Sequence, residues 1–308
     1  MATTDDRRPT TANGTSADAA LASQSYSWRV VEGPEGLRIE PRPEVVGRLS
    51  EAGRFLPQGA YTTLRTYGRT GLLALEQHFD RLDETARLLG HPVTLPRDEL
   101  RRLLCEVLRG LEWEASSETR LRLTVDCAKR VGEIWFSVEP LPLPSPEDYA
   151  KGVSVLTRPM HRENPKAKDN AFIAASREAR ALLGPEVNEV LMVGPEGRIL
   201  EGLSSNFYGV RGGTVWTAEE GVLPGITRSL ILEEASRAGI PVQLEALTLD
   251  ELSTLDEAFL SSTSRAVLPI AQIDSEQVGT GKPGPITQWL AQLYEAKLQQ
   301  RIEWLCEE

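Results

Sequence analysis

Leu200-Glu201-Gly202-Leu203-Ser204-Ser205-Asn206-Phe207, followed by Leu223-Pro224-Gly225-Ile226-Thr227-Arg228, is the stretch on which the reading of this chain turns. The first segment sets one acid, Glu201, at the end of a short apolar strand. An acid buried there needs a partner, and a protonated ring nitrogen would be one. The carboxylate would then hold the ring in its cationic form, a stronger electron sink. The second segment opens a helix after a Pro-Gly turn. The first N–H groups of a helix lack internal partners and the dipole makes that end positive, so a phosphate satisfies both. Gly225 permits close backbone approach, Ile226 begins the helix, and Thr227 adds a hydroxyl. Together the two segments suggest a phosphorylated heterocyclic cofactor. Taken singly, each has a plainer reading: a turn-edge Glu in water, and a helix start that binds nothing.

Composition narrows the partners. The chain has 308 residues, 40% hydrophobic and 26% charged, the balance of a soluble globular enzyme. Its formal net charge of −11 argues against nucleic acid or an anionic membrane as the main partner. No apolar run approaches the roughly 20 residues that span a bilayer. Cys105, Cys127 and Cys306 are odd in number and far apart, without a CxxC pattern. Neither a zinc site nor a disulfide framework is therefore expected, and the reading is a reducing cytoplasm. His78, His91 and His161 do not cluster, so no metal is expected. Residues 1–25 are rich in Thr, Ala, Ser and Asp and read as a disordered tail, with no signal peptide.

Two blocks follow. Residues 26–143 open a first, smaller α/β domain. It has a strand at 59–67, a Gly-Arg-Thr-Gly turn, and a strand at 72–75. Helices over 76–89 and 96–111 and strands over 120–127 and 133–141 complete it. Three prolines between Leu141 and Pro146 mark the boundary, with a linker over 144–152. The larger block, 153–308, alternates strands with helices. Its helices are expected at 171–183 and 226–238, with a long amphipathic one from Ile286 to about Trp304. This pattern gives an α/β or α+β two-domain chain.

Other residues could carry chemistry. Lys166 and Lys168 lie in a polar loop between a strand and a helix. A lysine that attacks a carbonyl must lose its proton, which burial and neighbouring cations favour. Most loop lysines are solvated surface groups. Arg81 falls on the first helix, where a surface ion pair is the plain alternative. Arg120 and Arg122 share one face of a strand and repel unless solvent or an anion, such as a substrate carboxylate, lies between. Ser261-Ser262-Thr263-Ser264 ends an apolar strand in four hydroxyls, donors for a phosphate or simply a polar turn.

The order of these pieces is the stronger signal. A Tyr-bearing hairpin, an H-x-x-R-L helix, a lysine loop, E-G-x-x-S-N, L-P-G-I-T-R and a strand ending in S-S-T resemble the class IV aminotransferases, the pyridoxal-phosphate enzymes of fold type IV. The resemblance covers about 59–288. It implies pyridoxal 5'-phosphate as cofactor and transfer of an amino group between an amino acid, of the D- or branched-chain type, and a 2-oxo acid. It also implies a homodimer. Lys168 would be the catalytic Schiff-base lysine, preferred over Lys166 for its spacing to Phe172 and Glu201. Glu201 would pair with the ring nitrogen. Arg81, Gly225, Ile226, Thr227, Ser262 and Thr263 would hold the phosphate end. Tyr61, Arg65, Arg122 and Ser264 would shape the substrate pocket.

The chain also departs from the pattern. Phe172 stands where branched-chain members place a Tyr, Asp169-Asn170 is unusual, and 28–39 replaces the opening Asn-Gly hairpin. Residues 59–82 look closer to the D-amino acid enzymes. Two rivals stand beside transamination: a lyase of the aminodeoxychorismate type, and a non-catalytic member of the fold. Arg228 in an intact G-I-T-R, with Arg65 and Arg122, favours transfer.

Overall fold

The computed structural model describes residues 25–43, 49, 56–112, 118–141 and 143–306. The tail expected over residues 1–25 lies, up to residue 24, outside the described residues.

The first block is an antiparallel sheet with two helices on it. β1 (Tyr26–Gly33) and β2 (Gly36–Pro41) form the opening hairpin. β3 (Gly59–Tyr67) and β4 (Gly71–Leu73) lead into helix α1 (Leu75–Leu88), and α2 (Arg97–Gly110) follows. β5 (Thr119–Asp126) and β6 (Ile134–Pro140) complete the block. Helix α1 buries Leu75, Phe79, Leu82 and Ala86, a one-sided stripe at helical spacing. Helix α2 does the same with Leu100, Leu103, Leu104, Val107 and Leu108. Both stripes close one core with Leu64, Leu121, Leu123 and Phe136 of the sheet. Each such buried side chain contributes about 1.5–3 kcal/mol.

The proline-rich segment is not all linker. Ser145 caps a short helix, α3 (Pro146–Lys151), in a capping box with Asp148. Then come β7 (Val153–Pro159), α4 (Ala171–Ala175), α5 (Arg177–Arg180), β8 (Glu189–Val193), β9 (Ile199–Gly202), β10 (Asn206–Arg211) and β11 (Thr214–Trp216). Helix α6 (Ile226–Arg237) precedes β12 (Val242–Gln243), β13 (Glu257–Ser262), β14 (Ala266–Ile273) and β15 (Glu276–Gln277). Helix α7 (Pro285–Arg301) and β16 (Ile302–Trp304) end the chain.

The second sheet has nine strands, in the order β12-β11-β10-β13-β14-β7-β8-β9 with β15 on β14. A further pairing of β9 with β10 sets Glu201 opposite Asn206 and rolls the middle of the sheet into a closed ring. Helices α6 and α7 pack over Tyr208 and Phe259, whose rings stack at 4.3 Å.

Three expectations need correction. The helix read over 171–183 breaks into α4 and α5 at Ser176, whose hydroxyl bonds back to the Phe172 carbonyl at 2.7 Å and competes with the helical ladder. The terminal helix stops at Arg301, and the chain re-enters the first sheet as β16 beside β4. That return brings Cys306 to Cys105 of α2 as a disulfide, with Cα atoms 5.6 Å apart. No sequence spacing announces the pair, because 201 residues separate its members.

Candidate active site

The site lies in a cavity of about 530 Å³, lined from both blocks and within the ~300–1,000 Å³ usual for ligand pockets. Of the residues singled out in the sequence, Lys168, Glu201, Arg81, Gly225, Ile226, Thr227, Ser262, Thr263, Tyr61, Arg122 and Ser264 line it. Arg65 and Lys166 do not.

Arg65 shows how register decides. Tyr61, Thr63 and Arg65 face Thr124, Arg122 and Arg120 across the β3–β5 ladder, so all six share one face of the sheet. Arg65 sits two steps beyond Tyr61, where Glu118 takes its guanidinium and the Tyr67 ring lies beneath it. Arg120, its neighbour across the ladder, pairs with Glu139 at 2.6 Å.

Lys168 lines the cavity, half-buried, with its ammonium 5.0 Å over the Tyr61 ring. Burial pushes its pKa down, and Arg162 and Arg81 add to that against the pull of Tyr61 and Glu201. The lysine loop is pinned to β3: Ala60 bridges Asp169, and Asn170 accepts the Gly59 N–H at 3.0 Å and donates to the Pro57 carbonyl. The Asp169-Asn170 pair thus has a structural use.

Glu201 is 2% exposed, which removes its turn-edge alternative. Its Oε1 accepts from Arg162 Nε at 2.8 Å. Its Oε2 accepts from Asn206 at 3.0 Å and from the Leu223 N–H at 3.1 Å. Burial pushes its pKa up to about 7, against the lowering effect of Arg162 and the Leu223 N–H. Arg162 also lies 3.7 Å over the Phe172 ring. Sequence reading missed Arg162, and the alternation of β7 runs out before it, so no periodicity pointed there.

The two opening motifs meet through Asn206, which donates to Glu201 and to the Leu223 carbonyl at 2.9 Å. No side chain caps helix α6 at Gly225, which leaves its first donors facing the cavity. Arg81 reaches across from α1 to the Pro224 carbonyl. Burial pulls its pKa down to about 10, so it remains charged at neutral pH. His78, one turn earlier, bonds Thr62 through Nδ1 at 2.6 Å. Burial, with Arg81 and Lys168 nearby, holds its pKa down at about 3, so the ring is neutral. The Ser262–Ser264 turn is braced by Arg265, which reaches the buried Glu189 at 2.7 Å. Burial alone would raise the Glu189 pKa, but Arg265 and the Ser204 hydroxyl outweigh it and hold it low.

A cationic niche that brings together an uncapped helix start, a buried carboxylate and a half-buried lysine suits an anionic cofactor with a basic ring. Residues 59–273 match the family model described as amino-transferase class IV. A probable branched-chain-amino-acid aminotransferase of Thermotoga maritima is 31% identical over 244 residues, 77% of this chain and 86% of the relative. A D-alanine aminotransferase of Bacillus licheniformis is 27% identical over 266 residues, 81% of this chain and 91% of the relative. The crystal structure of a putative branched-chain amino acid aminotransferase from Thermotoga maritima superposes with a TM-score of 0.72 at 26% identity, covering 89% of this chain and 96% of that one. This chain belongs to the class IV aminotransferases. It is an enzyme with the fold-type-IV architecture that the sequence motifs lead one to expect.

Proposed function

We propose that this aminotransferase moves an amino group between an amino acid and a 2-oxo acid in the described cavity, with Lys168 as the lysine that bonds the cofactor. Its cofactor is pyridoxal 5'-phosphate. The donor set fits that group. An added Cβ on Gly225 would meet Asn206 Oδ1 at 2.1 Å, so the bare glycine keeps the helix start open beside the acid. Arg81, Thr227, Ser262, Thr263 and the first N–H groups of α6 would hold the phosphate, and Glu201 the ring nitrogen. When bound, the cofactor supplies an electron sink for the carbon that loses its proton.

The chain's residues do the rest. Burial pushes the Lys168 pKa down, the direction that favours an Nζ able to attack a carbonyl and later carry a proton. Arg162, Asn206 and the Leu223 N–H fix both oxygens of Glu201. Tyr61 and Arg122 border the lysine on the substrate side. The observation that carries the reading is a half-buried lysine and a buried acid in one cavity, beside an uncapped helix start. The relatives named above are transaminases, which weighs against a lyase.

We further read the chain as two domains, with the boundary in 144–152 and β16 returned to the first, and as a homodimer, which the family resemblance suggests. Cytoplasmic residence is the accompanying proposal, with the Cys105–Cys306 bond removing the cysteine argument for it. Among the described residues no helix is long and apolar enough to cross a membrane. The test of the site is borohydride reduction of the protein with pyridoxal phosphate, then peptide mapping. A pyridoxyl adduct on Lys168 is expected. An adduct on Lys166 would move the site, and an adduct on neither would sink the reading.

A further inference from the structure

The cradle proposed for the phosphate is shared between the two blocks. Arg81 comes from α1 of the first, and the uncapped helix start with Thr227 from α6 of the second. Both halves are tied to one segment, Pro285 to Cys306. Its helix α7 is fastened to α6. Leu290, Tyr294 and Leu298 share a core with Leu230 and Ile231, and Lys297 reaches Glu233 at 3.3 Å and Glu234 at 3.2 Å. The Tyr294 side chain, 1% exposed, sets its hydroxyl beside those of Tyr67 and Thr227. Tyr67 is the last residue of β3. One buried ring of α7 therefore stands where the helix start meets the first sheet.

Beyond Arg301 the segment is fastened to the first block instead. β16 pairs with β4, Ile302 opposite Leu73 and Trp304 opposite Gly71. Leu305 donates its N–H to the Thr70 carbonyl at 3.2 Å. Arg101 bonds both Glu303 and Glu76, and Glu76 lies in the first turn of the helix that carries Arg81. These links are slight. β16 is three residues long and lies at the edge of its sheet, and its Trp304 is 64% exposed. So short an edge strand is marginal by itself. The Cys105–Cys306 bond closes it covalently onto α2. Cys105 is half-buried, so the bond is not sealed in a core.

Resting on the cofactor site read above, we propose that the C-terminal segment is a redox-set strap. Oxidised, it holds Arg81 of the first block against the helix start of the second, with Tyr294 as the positioning residue at the junction. Reduced, it loosens, and the cradle loses part of its grip on the phosphate. The step is thiol–disulfide exchange with a dithiol. The dithiol gives two electrons and two protons, the Sγ–Sγ bond breaks, Cys105 and Cys306 become thiols, and the dithiol closes into its own disulfide.

The experiment titrates the cofactor-free protein with pyridoxamine 5'-phosphate, whose amine, unlike an aldehyde, does not add thiols, and with phosphate-free pyridoxamine. Tryptophan fluorescence reads binding to the oxidised protein and to protein reduced by dithiothreitol. Reduction should weaken pyridoxamine 5'-phosphate by about 5- to 20-fold, an ordinary coupling between two sites, and leave pyridoxamine unchanged. C105S and C306S should match the reduced parent and ignore dithiothreitol. Y294F, with the disulfide intact, should weaken pyridoxamine 5'-phosphate alone; a Y294F variant that binds as the parent does removes Tyr294 from the junction. Coupling is reciprocal, so saturating pyridoxamine 5'-phosphate should make the disulfide harder to reduce by the same factor, read by counting thiols in dithiothreitol redox buffers. Equal affinities in the oxidised and reduced parent overturn the strap and leave the cofactor site standing. So does a loss that falls equally on both ligands, which is general loosening. Failure of both forms to bind pyridoxamine 5'-phosphate overturns the cofactor site and the strap with it.

Discussion

The main-chain carbonyl of Lys168 accepts the Tyr61 N–H at 2.9 Å, and the ammonium of the same lysine lies 5.0 Å over the Tyr61 ring. The lysine loop, which follows a strand of the second sheet, is therefore registered against a strand of the first. Asn170 closes that register through Gly59 and Pro57. Replacing it, as in N170A, removes two side-chain hydrogen bonds and should lower stability by about 1–3 kcal/mol. The rate of the half-reaction should fall further than cofactor affinity, because the lysine loses its alignment with Tyr61. Thermal melting and single-turnover absorbance together check this; a variant with the parent's half-reaction rate would refute it.

Glu201 is held by three donors and fixed in one orientation. E201Q keeps the size and can still bond Leu223, but it leaves the Arg162 charge without its carboxylate. Cofactor should still bind, while turnover drops by about 100-fold or more. Equal turnover in E201Q and the parent would remove Glu201 from its assigned role.

His78 gives the acid side of the stability profile. Its folded pKa is depressed to about 3 from 6.5 by burial. The unfolded chain therefore binds the proton first, and stability is lost as pH falls from about 6.5 towards 3. The loss from this group is on the order of a few kcal/mol. H78N retains an acceptor for Thr62 without the titration. Its melting temperature should decline less steeply between pH 6.5 and 4, and parallel curves for variant and parent would contradict the assignment.

The Cys105–Cys306 bond joins α2 to the segment that follows β16, which pairs with β4 immediately before the helix bearing Arg81. Arg101 adds a side-chain link to Glu303. C306S, or reduction of the parent, should lower the melting temperature by roughly 5–10 °C. Mass spectrometry should count one free thiol, Cys127, before reduction. Three free thiols in the native protein would dismiss the bond.

Much of this was legible in the chain. Glu201, Asn206, Gly225 and Thr227 lie within 27 residues, so local motif chemistry sufficed to single out the buried acid and the helix start that line the cavity. The stripes of α1 and α2 followed from helical periodicity. What the sequence withheld came from long-range register. Arg65 sits on the right face of β3 but meets Glu118 first. Arg162 and Arg180 reach the cavity from a loop and a broken helix, where no period operates. The disulfide depends on the last strand returning across 201 residues.

Gly225 tests whether the two ends of the site are coupled. Its φ of −64° and ψ of 139° suit any residue, so an alanine there meets no backbone strain. The contact is the obstacle: the new Cβ would lie 2.1 Å from Asn206 Oδ1. Asn206 has to move, and it is the group that spans Glu201 and the Leu223 carbonyl. G225A should therefore weaken cofactor binding by about 10-fold or more and also disturb the ring end, which a purely local effect at the phosphate would leave alone. G110A is the control, since nothing lies within 4 Å of its added methyl. Titration of the cofactor-free protein with pyridoxal phosphate, read by absorbance and by turnover, measures both ends. If G225A weakens binding yet leaves turnover at saturating cofactor intact, the phosphate cradle stands and the Asn206 coupling falls.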